Sequence, residues 1–186
     1  MTLSTLDPVT ALVVVDLQGA TVRNPTVHPA VDVVRRSARL AAAFRAHGLP
    51  VVLASADLND PPGGRSERGG PRPPLPDELL ALVPELDAAA GDLRAPHRGW
   101  SAFGGSTLEA DLRRVGATQV VIAGLATSFG VESTARDAYD AGFHVTLVVD
   151  AMTDLDLGAH QRAVGWIFPV LGETATTDEV LAALGA

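Results

Sequence analysis

Three segments of the sequence carry residue types that could do chemistry. Asp16 is an acid that directly follows the apolar run of residues 11–15. Residues 124–135 lead out of another apolar run through small and polar residues, and residues 97–108 hold His97 in a glycine-rich stretch. A carboxyl group, an imidazole and a turn with free backbone N–H groups are the parts that acid or base catalysis on a small molecule uses.

Asp16 is the most specific candidate for a catalytic residue among these three segments. The apolar residues before it place its carboxyl group at the end of a buried element, where burial disfavours the charged form. Asp16 could therefore serve as a general acid or a general base. The alternative is that Asp16 caps a loop or pairs with an arginine, and its position alone does not separate the two.

The segment 124–135 reads Gly-Leu-Ala-Thr-Ser-Phe-Gly-Val-Glu-Ser-Thr-Ala. Small residues allow close approach of a ligand to the backbone, and the first turn of a helix offers N–H groups without partners. An anion or an oxyanion could bind there. The segment is neither a GxGxxG fingerprint nor a phosphate loop, and an ordinary tight turn between a strand and a helix is the alternative.

The segment 97–108 places two large aromatic residues, Trp100 and Phe103, after His97. The aromatic residues can be core or the wall of a pocket, and a lone histidine can be structural or catalytic. The other histidines show no metal-ligand spacing, and Asp57 has no histidine partner nearby. We therefore expect no metal and no cofactor. The remaining histidines are His28, His47, His144 and His160.

The composition narrows the possible functions further. The 186 residues include 22 acidic and 14 basic ones, and the net charge of -8 disfavours nucleic acid or an anionic membrane as the main partner. Cysteine and lysine are absent, which excludes a thiol nucleophile and Schiff-base chemistry. A small-molecule substrate remains. The first residues lack the pattern of a secretory signal, so we expect a cytoplasmic protein.

The elements that must position these residues alternate between strands and helices. Short all-apolar runs indicate strands that are buried on both faces, and amphipathic patterns lie between them. This alternation predicts a three-layer α/β/α fold with a doubly wound, mainly parallel sheet in a single domain, residues 1–186. The predicted strands are 11–16, 50–54, 119–123, 144–149 and, more weakly, 170–173; the predicted helices are 30–47, 106–115, 131–141, 159–167 and 179–184.

Residues 57–76 interrupt this pattern. The stretch contains six of the 13 prolines, four glycines and three arginines, Arg65, Arg68 and Arg72. A flexible surface excursion is one interpretation, and a loop over the active site is the other, since long loops in compact domains are often functional. In the second case one of the arginines could hold a substrate carboxylate.

Taken in order, these segments resemble the isochorismatase-like hydrolase superfamily over nearly the whole chain. The resemblance rests on the following motifs: residues 11–18 with Asp16 and Gln18, Trp100-Ser101-Ala102-Phe103, residues 124–138, and Asp150-Ala151 with His160. It implies a parallel sheet with helices on both sides, and a homo-oligomer, a dimer or a tetramer.

The resemblance also implies roles for individual residues. The amidases of the family use an Asp, a Lys and a Cys, with a cis peptide bond that helps to form the oxyanion hole. Asp16 matches the Asp, and the cis bond would join Leu125 and Ala126. The backbone N–H groups of Ala126 and Gly130 would donate to the oxyanion. The substrate would contact residues in the three segments: Gln18, Trp100, Phe103, Ala126, Thr127 and Phe129.

Two positions depart from the amidase pattern. His97 stands where the family has Lys, six residues before the Phe of the Ser-Ala-Phe motif, and Gly130 stands where the amidases have Cys. Thiol catalysis is therefore excluded. The vinyl-ether hydrolases of the family also lack the Cys, and their Asp protonates the enol-ether carbon as a general acid.

Two hypotheses follow for function. The first is a hydrolase of a small polar metabolite that uses Asp16 as acid or base, with help from His97 and without a covalent intermediate; vinyl-ether hydrolysis is one case. The second is an inactive family member that binds a metabolite or serves as an oligomeric structural protein.

Overall fold

The computed structural model of the chain describes residues 3–67 and 73–185. The strands are β1 (Thr10–Val15), β2 (Val51–Ala56), β3 (Leu93–His97), β4 (Gln119–Leu125), β5 (His144–Thr153) and β6 (Glu173–Ala175). The helices are α1 (Gly19–Val22), α2 (Ala30–Ala46), α3 (Asp77–Leu80), α4 (Leu108–Arg114), α5 (Glu132–Asp140), α6 (Leu157–Arg162), α7 (Phe168–Leu171) and α8 (Thr177–Leu184). A 3-10 turn covers Pro84–Leu86, and π-helical turns cover Thr127–Val131 and Ala163–Ile167.

The strands form one parallel sheet in the order β3-β2-β1-β4-β5-β6. The prediction of a doubly wound α/β fold is thereby confirmed. The chain winds outward in opposite directions from β1 and β4, which lie side by side at the centre. In such sheets the crevice for a ligand lies at the carboxyl ends of these two strands.

The two faces of the sheet are covered by different helices, because successive side chains of a strand point to opposite sides. Ala11, Val13 and Val15 of β1 pack in a cluster with buried residues of α4 and α5. Leu12 and Val14 pack in a second cluster with buried residues of α2 and α8. The buried, all-apolar strands predicted from the sequence are therefore the central layer. None of the described helices is long and apolar enough to cross a bilayer.

The structure corrects the prediction at the edges of the sheet. β3 was not predicted, because its sequence Leu-Arg-Ala-Pro-His alternates in burial and contains a proline. A strand at the edge pairs on one side only and tolerates both features. The weak strand expected at 170–173 is wrong for Val170 and Leu171, which belong to α7, and β6 begins at Glu173.

β5 is longer than predicted and carries Asp150 inside it. Its register against β4 is irregular between Ile122 and Gly124. The carboxylate of Asp150 accepts a hydrogen bond from the Thr177 backbone N–H at 2.7 Å and lies 3.2 Å from the Nε atom of Arg36. Asp150 therefore anchors the start of α8 to the sheet.

The loop of residues 57–76 starts and ends close together. The Asn59 side chain donates to the carbonyl of Leu75 at 3.0 Å and accepts from its N–H at 2.8 Å. The N–H of Asp57 donates to the His97 carbonyl at 2.7 Å, so the base of the loop adjoins the end of β3. Arg65 is exposed. Arg68 and Arg72 lie outside the described residues.

Candidate active site

The centre of the candidate site is the junction of β1 and β4. Asp16 follows β1 in a left-handed conformation, with φ of 51°. β4 approaches β1 closely at Gly124, where a Cβ atom would lie 2.1 Å from the Val15 carbonyl oxygen and where φ is +123°. Only glycine satisfies both conditions. The sequence thus brings the end of β4 directly beside Asp16.

Asp16 and His97 meet in this crevice, although 81 residues separate them in the sequence. The Oδ1 atom of Asp16 lies 2.9 Å from the Nε2 atom of His97, at the end of β3. The side chain of His97 is fully buried, and that of Asp16 is 10% exposed. Asp16 thus pairs with the histidine and not with an arginine, which removes one of the structural alternatives considered from the sequence.

The second nitrogen of His97 determines how many protons this pair holds. Nδ1 lies 3.1 Å from the carbonyl oxygen of Gly99. Because a carbonyl can only accept, Nδ1 carries a hydrogen. The close contact at Nε2 then requires one more proton between His97 and Asp16. The pair is either a carboxylic acid with a neutral imidazole or a carboxylate with an imidazolium, and both forms carry the same total charge.

The turn Thr127–Val131 brings Gly130 against Asp16. A Cβ atom on Gly130 would lie 3.3 Å from Asp16 Oδ2 and 3.0 Å from both the Leu125 carbonyl oxygen and Val15 Cγ1. The peptide bond between Leu125 and Ala126 is cis, as the resemblance implied. The oxyanion role of the Ala126 and Gly130 N–H groups stays a prediction.

Two buried polar contacts support the turn Thr127–Val131. The Ser128 N–H donates to the carboxylate of Asp154 at 2.6 Å, and Asp154 is fully buried. The hydroxyl of Thr127 lies 2.9 Å from the Nδ1 atom of His160. Burial lowers the pKa of His160, nearby His28 lowers it further, and the charge of Asp154 opposes both. Thr127 is itself fully buried, so its hydroxyl supports the turn.

Trp100 and Phe129 form an exposed aromatic pair next to the Asp16–His97 pair. Their ring centroids are 4.9 Å apart. Trp100 follows His97 by three residues, Phe129 precedes Gly130, and the two residues are 66% and 41% exposed. The structure therefore brings these two predicted substrate contacts together at the surface of the site.

Two other predicted substrate contacts, Gln18 and Phe103, make contacts within the protein, and their role toward a substrate stays a prediction. The buried amide of Gln18 donates to the carbonyls of Ala56 and Leu80, at 3.0 and 2.6 Å, and accepts from the Ala56 N–H at 2.9 Å. Its hydrogen-bonding groups are thus engaged by the protein. Phe103 is half-buried against the core, with its ring 6.3 Å from that of Phe143.

Sequence reasoning missed the supports of the site. No role of Asp154 or His160 was predicted from the sequence, because their contacts with residues 127–128 join segments far apart in the chain. The signal available was an acid followed by a histidine six residues later. Within residues 3–67 and 73–185, no group of three or more His, Asp or Glu side chains is placed to hold a metal ion.

Comparison with known proteins identifies the class to which this fold and site belong. The family model described as the isochorismatase domain matches residues 10–179. A solved structure of an isochorismatase family protein from Burkholderia thailandensis superposes with a TM-score of 0.93 at 39% identity, and the match covers 98% of each chain. The chain therefore belongs to the isochorismatase family, a family of hydrolases.

Two curated relatives match most of this chain. The uncharacterized isochorismatase family protein YecD of Escherichia coli O157:H7 is 37% identical, over 94% of this chain and 96% of the relative. The ureidoacrylate amidohydrolase RutB of Variovorax paradoxus is 30% identical, over 86% of this chain and 78% of the relative.

Proposed function

We propose that the chain is a hydrolase of a small polar metabolite that works by acid–base catalysis at Asp16, without a covalent enzyme intermediate. The observation that carries the proposal is the buried pair of Asp16 and His97, whose 2.9 Å contact allows the two groups to share a proton beside Gly130. A nucleophilic side chain at position 130 is absent, so water must be the nucleophile.

Such a pair can catalyse vinyl-ether hydrolysis and regain its starting protonation state at the end of the reaction. Asp16 gives its proton to the terminal carbon of the enol ether, which leaves an oxocarbenium ion and a carboxylate. Water adds to the cation and returns a proton to Asp16. The resulting hemiketal collapses to a ketone, such as pyruvate, and an alcohol, and His97 holds the carboxyl group in place throughout. The net change is the addition of one water molecule across the cleaved C–O bond.

Amide hydrolysis by the family's cysteine route does not fit this chain. RutB carries an amidohydrolase name, and the resemblance implies that the amidases of the family attack the amide with a cysteine thiolate. The present chain contains no cysteine. The free Oδ2 atom of Asp16 faces the position where that side chain would begin. The same carboxyl group is therefore available to a substrate or to water.

The aromatic pair and the loop supply the substrate contacts in this proposal. Trp100 and Phe129, whose rings are tilted by 42° against each other, offer an exposed apolar surface near the reacting carboxyl group. One of Arg65, Arg68 and Arg72 would hold the substrate's carboxylate if the loop of residues 57–76, whose base adjoins the end of β3, folds over the site. We also propose a homo-oligomer, supported by large apolar side chains left exposed along residues 155–170, namely Leu155, Leu157, Trp166 and Val170.

Pyruvate release from isochorismate and from its 2-amino analogue tests the proposal. Purified chain is incubated with each compound, and pyruvate is followed with lactate dehydrogenase and NADH. We expect enzyme-dependent release of one pyruvate per substrate from at least one compound. Absence of release from both would contradict vinyl-ether hydrolysis of these compounds. The mass of the purified chain in solution tests the proposed oligomer, because a homo-oligomer has a multiple of the mass of one chain.

A further inference from the structure

One helical segment exposes large apolar side chains on its outer side. α6, the π-helical turn after it and α7 follow one another without a break, so residues 157–171 form one helical segment about 22 Å long. Ala163 and Phe168 are buried on its inner side. Exposed apolar patches of this kind mark interaction surfaces. The outer side exposes half or more of three apolar side chains, namely Leu157 (49%), Trp166 (72%) and Val170 (72%).

The segment 157–171 also differs from the rest of the chain in charge. The whole chain has 22 acidic residues and a net charge of -8, whereas this segment contains no acidic residue and one basic residue, Arg162. Charged residues are depleted, and aromatic residues are enriched, at the centre of protein–protein interfaces. Two copies of this acidic chain can therefore meet through the segment with less repulsion than through a surface of average charge.

A groove on the same segment has room for an indole ring. Its volume is about 310 Å³. Gly165 lines the groove, and no described neighbour lies within 4 Å of the position that a Cβ atom would take there, so the groove is open at this point. Trp166 does not line it. The lining residues are His28, Leu157, His160, Gln161, Val164 and Gly165.

The positions of Trp166 and the groove suit a two-fold axis. In a symmetric dimer each contact is made twice, and the same patch is used by both copies. If two segments pair antiparallel about an axis near residues 163–164, position 166 faces the partner's position 161, where the groove lies. Val170 then faces the partner's Leu157. Gly165 has no side chain to hold the two helices apart.

The area of such a contact approaches what a stable dimer needs. A standard interface buries about 800 Å² on each partner. A buried aromatic side chain accounts for about 150–250 Å². Each copy would bury its own Trp166 and also the groove that receives the partner's Trp166, so the exchange supplies a large part of this area.

We propose that two copies of this chain associate through residues 157–171, with Trp166 of each copy inserted in the groove of the other. The inference rests on the homo-oligomer proposed above and names the contact and the symmetry that would form it. The inserted indole would also cover His160, whose Nδ1 atom lies 2.9 Å from the hydroxyl of Thr127. The dimer would thereby shield one support of the turn that carries Gly130.

Sedimentation equilibrium over a range of concentrations tests the interface. We expect the mass of two chains for the unchanged protein, and Trp166→Ala should weaken association by at least about tenfold. Gly165→Leu should also dissociate the dimer, because the new side chain fills the groove, while the helix itself favours leucine over glycine. Val31→Ala is the matched control, since it removes a side chain that is 67% exposed on α2, and it should leave the mass unchanged.

Fluorescence gives a second readout that reports the indole itself. Trp100 and Trp166 are the two tryptophans of the chain. In a Trp100→Phe chain, the emission of Trp166 should shift to the red on dilution, as the indole leaves the groove for water. The same chain with Gly165→Leu should show the red-shifted emission at every concentration.

The outcomes separate this interface from the other proposals. The mass of one chain at all concentrations would overturn both the oligomer and this contact. A mass of two chains that Trp166→Ala and Gly165→Leu leave unchanged would overturn the contact alone, and so would equal weakening by Val31→Ala. The masses are measured without substrate, so failure of pyruvate release would leave the interface standing.

Discussion

The Oδ1 atom of Asp16 and the Nε2 atom of His97 lie 2.9 Å apart, and the opposite nitrogen of the histidine faces the carbonyl of Gly99. The backbone carbonyl fixes the ring orientation and the tautomer, so the histidine presents Nε2 to the acid. The resemblance predicts that His97 stands where the family's amidases have a lysine. A lysine would add a fixed positive charge, whereas the histidine shares a single proton with the acid.

The first prediction concerns the protonation state of His97. We expect the ¹⁵N NMR signal of Nδ1 to show a bound hydrogen at neutral pH, because Gly99 accepts from it. His144 is exposed and serves as the reference histidine in the same spectrum. A signal typical of an unprotonated Nδ1 in His97 would contradict the proton count given for the pair.

The second prediction concerns Gly130. Gly130→Ala should lower the free energy of unfolding by about 1–3 kcal/mol, because the new methyl group is crowded by Val15, the Leu125 carbonyl and Asp16. Urea unfolding measures the change. Gly91→Ala is the matched control, because a Cβ atom there meets nothing within 4 Å. Equal stability of the two variants would show that the turn is not closely packed against β1.

The third prediction concerns Gln18, which the resemblance implies as a substrate contact and whose amide hydrogen-bonds Ala56 and Leu80 in the structure. Gln18→Leu leaves the N–H and C=O of Ala56 and the carbonyl of Leu80 without this partner. Each buried group that stays unsatisfied costs about 1–3 kcal/mol, so we expect a large loss in urea unfolding. The exposed Gln161, changed to Leu, should have little effect. A stable Gln18→Leu variant with a raised KM would return Gln18 to the substrate site.

The fold was predictable because its central strands carry a strong local signal. β1 and β4 are uninterrupted apolar runs, and burial on both faces selects such sequences. β3 gave no such signal, because an edge strand with an exposed Arg94 and a proline resembles a loop. Val170 and Leu171, which end the helix Phe168–Leu171, were predicted as part of a strand, since a short apolar run fits either element.

The candidate site was only partly predictable for a different reason. Asp16 could be found from its place after β1, and the resemblance supplied its connection with position 97. The roles of Gln18 and Thr127 depend on partners in distant segments, such as Leu80 and His160. A single sequence does not show those contacts, so polar residues that brace the site look the same as residues that bind a ligand.

The most direct test of the central claim is the rate of pyruvate release by Asp16→Asn compared with the unchanged chain. Asparagine tolerates the left-handed backbone at this position and has nearly the shape of aspartate, so the fold should persist. The exposed Asp140, changed to Asn, is the matched control and should retain full activity. Circular dichroism verifies the fold of both variants.

Acid–base catalysis contributes about 10²- to 10⁴-fold to a rate. We therefore predict that Asp16→Asn lowers kcat/KM for the vinyl ether by at least about 100-fold, with the control unchanged. An Asp16→Asn variant that releases pyruvate as fast as the unchanged chain would contradict the account, because the reaction would then not use the carboxyl group of Asp16.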